Sequence, residues 1–158
     1  MSSEVLPRLV EAELIGKEPT QLELRELEGL INALRRVRAT YSDDIHAAEV
    51  KLYESLAEAL FSSRLAKYLD GKEVKGFDHE LYNVIARVQE VFKDVVTGNY
   101  AGSGTRALFR VTQATVVHNY PVKPGDLVVS ELNNVLKAVI AGYLDLVSLT
   151  RVKTDESS

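Results

Sequence analysis

A chain of 158 residues with 46% hydrophobic side chains can bury one sizeable core, or one medium domain beside a small one. Its net charge of −4 is uneven: residues 1 to 100 carry 13 basic and 18 acidic side chains (−5), residues 101 to 158 carry 6 and 5 (+1), so neither part is a basic nucleic-acid domain. The absence of cysteine excludes a disulfide framework and thiolate chemistry.

No apolar run approaches the roughly 18 residues of a membrane span, and the opening residues lack the basic and apolar regions of a signal peptide. A cytosolic compartment is expected. The lack of Cys and Trp, a single Met and 27% charged residues would also suit a thermophile.

In chain order, Glu4 to about Leu14 places Leu6, Leu9, Val10 and Leu14 on one helical face. Thr20 and Glu23 have the spacing of a capping box. The helix after them carries Leu24, Leu27, Ile31 and Leu34, and gathers Arg35, Arg36 and Arg38 at its C-terminal end, where the helix dipole favours cations.

The run from Ser42 to Asp70 predicts the longest helix, roughly 40 Å at about 1.5 Å per residue. Ser42 or Asp43 caps it and Gly71 closes it. Ile45, Ala48, Leu52, Leu56 and Ala59 form one stripe, and Tyr53, Leu60, Phe61, Leu65 and Leu69 widen it beyond the roughly 100° that a single core requires. Part of this spine is therefore expected to face another subunit, with Leu52, Tyr53, Leu56, Leu60 and Phe61 as interface candidates.

After the turn GKEVKG, Asp78 is expected to cap a helix carrying Leu81, Val84, Ile85, Val88, Val91, Phe92, Val95 and Val96. Three glycines within Gly98–Gly104 then predict a flexible linker. Beyond it, Phe109 to Val117 is rich in β-branched residues, Tyr120-Pro121-Val122-Lys123-Pro124-Gly125-Asp126 is a turn, and LVV is a short strand. Ser130 is expected to cap a short helix ending at Gly142, followed by a strand from Tyr143 to Val152 and a frayed tail.

The fold class is α+β: an N-terminal helical bundle over 1–97, a linker over 98–106, a small β-rich domain with one short helix over 107–152, and a disordered tail over 153–158.

No catalytic constellation or cofactor site is legible. The three histidines, His46, His79 and His118, fall in different elements. Asp43, His46 and Glu49 share a helical face, but no Glu-x-x-His pair completes a carboxylate metal site, and a solvated first turn explains them. GNYAGSG follows a helix instead of joining a strand to a helix, so it is not a phosphate loop.

The run Tyr120-Pro121-Val122-Lys123-Pro124-Gly125-Asp126-Leu127-Val128, followed by NNVLKAVIAGYLDLV, resembles the small domain of GINS subunits, the four-part complex of archaeal and eukaryotic replication forks. Glu49 through Arg64 and Lys67 is similar to that family's long helix ending in Arg-x-x-Lys, with Glu80-Leu81-Tyr82 opening the next one. Ser130-Glu131 departs from the Leu-Pro common there.

The resemblance implies a scaffold without enzymatic activity, helical domain first, assembling in a tetramer with a subunit of the β-domain-first class and bridging the MCM helicase to a RecJ-like or Cdc-type fork protein. It adds Arg64 and Lys67 to the interface candidates, and Tyr120, Pro121, Gly125 and Asp126 as a partner-contact turn. DNA contact is expected to be weak or indirect. The alternative is a small-β-barrel nucleic-acid-binding adaptor, with Phe109, Tyr120 and Tyr143 as stacking residues.

Overall fold

The computed structural model describes residues 4–149. The elements are α1 (Val5–Ile15), α2 (Leu24–Thr40), α3 (Asp44–Leu69), α4 (His79–Val96), β1 (Gly102–Ser103), β2 (Arg106–Val111), β3 (Thr115–Val117), β4 (Tyr120–Val122), β5 (Leu127–Glu131), α5 (Leu132–Ala141) and β6 (Leu144–Leu146). Helices come first and a small antiparallel sheet with one helix follows, an α+β chain. The end of the expected last strand beyond 149 and the tail over 153–158 lie outside the described residues.

Contacts divide the chain between Asn83 and Val84, inside α4. In the first unit, α3 starts where a side chain satisfies its free amides: Asp43 Oδ1 accepts from the N–H of Ile45 at 3.1 Å and of His46 at 3.0 Å. It stops where Gly71 takes φ 85° and donates to the Tyr68 carbonyl. Leu60 of α3 joins Leu6, Val10, Leu22 and Leu30 in the core, with Leu9, Leu34, Tyr53 and Leu56 packed against it.

The loop after α3 is stitched back to the segment before α2. Leu22 donates to the Lys75 carbonyl and accepts from Phe77 N–H at 3.0 Å. A Cβ on Gly76, at φ 129°, would meet the Leu22 carbonyl oxygen at 2.3 Å, so only glycine admits this approach.

In the second unit, β2 is central. β5 pairs along one edge, with Leu108 opposite Val129 and Phe109 opposite Val128. β1 and β6 share the other edge, opposite Ala107 and Phe109–Val111 respectively. β3 and β4 form a separate hairpin. Its two-residue loop, His118 and Asn119, takes φ 51° and 67°, the left-handed pair that a tight hairpin requires. Ala107, Phe109 and Val111 alternate inward to meet Val117, Leu132, Val135, Val139 and Leu144.

The stretch expected as a linker over 98–106 is instead integrated with this sheet. It contains β1, and Ala101 donates to the Val147 carbonyl and accepts from Leu108, both at 2.8 Å. Val91 and Val95 of α4 pack on the same core. The boundary of contact thus lies within a helix, because α4 carries apolar side chains that the sheet needs. Ser130 does not cap α5, whose flanking residue is Glu131; it is buried in β5, with its Oγ 2.8 Å from His118 Nε2.

Candidate functional site

The densest chemistry in the helical unit is an ion-pair network sealed inside it. Arg64 and Lys67 stand one turn apart on α3 and face α1. Arg64 grips Asp78 through two hydrogen bonds, Nε to Oδ2 at 2.7 Å and Nη2 to Oδ1 at 2.9 Å. Its Nη1 lies 3.4 Å from Glu13 Oε2 and also donates to the Thr20 carbonyl, while Nη2 reaches the Lys75 carbonyl at 3.2 Å.

Glu13 Oε2 accepts from Thr20 N–H at 2.8 Å and from its hydroxyl at 2.6 Å. Glu13 Oε1 takes no aligned hydrogen bond; its partner is the Lys67 ammonium 2.7 Å away. Lys67 also donates to the Glu13 and Glu18 carbonyls.

Burial opposes the charge on Glu13, yet Lys67 and the two Thr20 donors outweigh it and hold the carboxyl below its ordinary value. Burial likewise opposes the Arg64 cation, but its bonds to Asp78, that residue's charge and Glu13 keep its pKa above the usual one. Burial, then the Asp78 charge, push the Tyr82 phenol up.

Arg64, an interface candidate, is fully buried within the unit and Lys67 is mostly so, because their charges compensate Glu13 and Asp78. Leu60 is a core residue as well. Thr20 does not form a capping box with Glu23; α2 begins at Leu24 with no side-chain cap, and the Thr20 hydroxyl serves Glu13.

Glu13 is absent from the apolar face expected of α1, although the sequence carries a signal for it. It follows Leu6 and Val10 at steps of four and three, a carboxylate in the buried stripe, whereas Leu14, expected on the apolar face, is exposed.

The other interface candidates separate. Tyr53 and Leu56 are half-buried against the core, while Leu52 is 60% and Phe61 40% exposed. Phe61 stacks on Tyr82, ring centroids 5.7 Å apart, and with Phe77 and Leu81 rims an apolar cleft of about 160 Å³. Along α4, Leu81, Val84, Val88, Phe92 and Val96 recur at steps of three and four and are all exposed.

In the second unit, Tyr120, Pro121 and Gly125 are exposed. Gly125 takes φ 94°, and Asp126 Oδ2 closes the turn by accepting from Lys123 N–H at 2.9 Å. Among the described residues, no three His, Cys, Asp or Glu side chains are placed to hold a metal ion, and no helix is long and apolar enough to cross a membrane.

These features define an α+β protein whose helical domain is knit by a buried ion-pair network and leaves apolar side chains outside. Residues 5–78 match the family described as the GINS complex Gins15 subunit N-terminal domain, so this segment is similar to a GINS-subunit domain. Glu13, Thr20, Arg64, Lys67 and Asp78 all fall inside the match. No curated protein matches the chain.

Proposed function

We propose that the chain is a non-enzymatic scaffold subunit of a GINS-like DNA replication complex. The match over residues 5–78 carries this reading. It is supported by exposed Leu52, Phe61, Phe77 and Leu81, apolar side chains of the kind that subunit interfaces cover.

The helical unit joins a second GINS-type subunit of the β-domain-first class in a tetramer. The assembly bridges the MCM helicase and a RecJ-like or Cdc-type fork protein, with Tyr120, Pro121, Gly125 and Asp126 at the fork-protein contact.

Native mass spectrometry of the purified chain, alone and mixed with a β-domain-first GINS subunit, tests the reading. A stable assembly containing both chains is expected. A chain that stays monomeric in the mixture would overturn it.

A further inference from the structure

β5 lies at an edge of its sheet, and the outward backbone groups of Leu127 and Val129 have no partner among the described residues. Leu108 N–H donates to the Ala101 carbonyl and its carbonyl accepts from Val147 N–H, so its polar groups point away from β5. Val129, directly opposite Leu108, is therefore in a non-hydrogen-bonded pair, and its N–H and C=O point out of the sheet, as do those of Leu127 two residues before. Proteins commonly blunt such edges with lysine, proline or a bulge. The β4 strand carries Pro121. β5, with the sequence LVVSE, has neither lysine nor proline.

The side chains beside this edge are apolar and open. Leu127 is 58% and Val129 55% exposed, and a shallow hollow lined by Gly102, Ser103, Arg106, Leu108 and Val129 adjoins them. The nearby charges balance. Glu131 accepts from the Thr105 hydroxyl at 2.6 Å and faces Arg106 at 3.8 Å, Arg110 stands opposite Asp145 in the sheet register, and Lys123 shares its turn with Asp126.

We infer that β5 is a strand-addition site, taking an extended, uncharged segment of a partner protein with apolar side chains at alternate positions. The pattern of free donors and acceptors selects an extended backbone, and the exposed Leu127 and Val129 side chains select apolar side chains at alternate positions beside them. Balanced charge fits a neutral segment and not a polyanion.

A second copy of the chain is the weaker occupant on area. Two five-residue edges would bury roughly a few hundred Å², below the about 1,000 Å² of a stable interface. A segment of a partner held elsewhere gains from its high effective concentration. The inference deepens the scaffold reading and rests on it for the partner, while its test uses the full chain alone.

The test is a titration of the isotope-labelled full chain with the peptide acetyl-Thr-Val-Thr-Val-Thr-Val-amide, followed by amide NMR at low and high salt. The expected result is weak, saturable binding that moves the Leu127 and Val129 amides and changes little with salt. Val129→Pro removes an outward N–H that no group of the described chain uses, and Val129→Lys guards the edge; each should weaken binding at least about tenfold. Unshifted core amides at Phe109 and Leu144 in the Val129→Lys chain would show that its fold is intact.

No shift at Leu127 and Val129 with millimolar peptide would overturn the inference, as would equal binding by a folded Val129→Lys chain. A dimer of the chain that Val129→Lys dissociates would also overturn it, giving the edge to a second copy. If the peptide binds but no assembly with a GINS subunit forms, the scaffold reading falls and the edge site stands.

Discussion

Arg64 and Asp78, fourteen residues apart, form a two-pronged buried ion pair that fastens the start of α4 to the long helix α3. Neither charge has bulk water to fall back on, so the energetics lie in what remains when one partner is removed. Arg64→Ala leaves Asp78 and Glu13 buried without their cation and should cost about 3–5 kcal/mol, a large part of a stability typically of about 5–15 kcal/mol. Arg64→Lys should rescue only partly, since an ammonium does not reproduce the two-pronged grip. Urea denaturation of the full chain checks both.

The pH dependence follows from Glu13. Its folded-state pKa lies below the ordinary 4.5, so its contribution is fully present above that value and is lost as pH falls through the folded-state value. The melting temperature should therefore fall on acidification below about pH 4.5. In Glu13→Gln this acid limb should flatten, with lower stability at neutral pH because Lys67 and Arg64 lose a buried counter-charge. Thermal melts across the acid range decide it.

Exposure separates assembly from folding along α3. Leu52→Glu changes a side chain that is mostly in solvent, and should move stability by no more than about 0.5 kcal/mol while weakening association with the partner subunit. Leu60→Glu places a carboxylate in the core and should unfold the helical unit. Phe61→Ser should lie between them, since Phe61 is partly exposed yet stacks on Tyr82. Melting and native mass measured on the same samples distinguish the three; equal melting losses at Leu52 and Leu60 would contradict the burial pattern.

The glycine-rich stretch offers a contrast within a few residues. A Cβ at Gly102, φ 155°, would meet the Arg106 carbonyl oxygen at 2.1 Å, whereas at Gly98 and Gly104 nothing lies within 4 Å. Gly102→Ala should therefore destabilise the second unit well beyond the roughly 1 kcal/mol of an unfavourable positive φ that Gly98→Ala and Gly104→Ala incur. A fragment starting at Gly98 should fail to fold, lacking Val91 and Val95. Circular dichroism and limited proteolysis measure these effects.

Local chemistry made much of this chain legible in its sequence. A cap of the long helix at Ser42 or Asp43 (the structure uses Asp43), Gly71 and Gly142 as its own and α5's terminators, and the α+β order depend on short-range steric and hydrogen-bonding rules that residues carry with them. The over-wide apolar surface of α3 was visible too, because periodicity survives any packing.

Tertiary structure alone decided where polar side chains spend their hydrogen bonds. Thr20 and Asp78 both stand where a helix cap is expected, yet both turn to the buried network, and Arg64 and Lys67 turn inward with them. An uncompensated buried charge is so costly that each of these groups is placed by partners up to 54 residues away, which no local pattern encodes. The linker changed for the same reason: glycines report freedom of backbone, and only the approach of Arg106 and Ala107 to Gly102 turned that freedom into a strand.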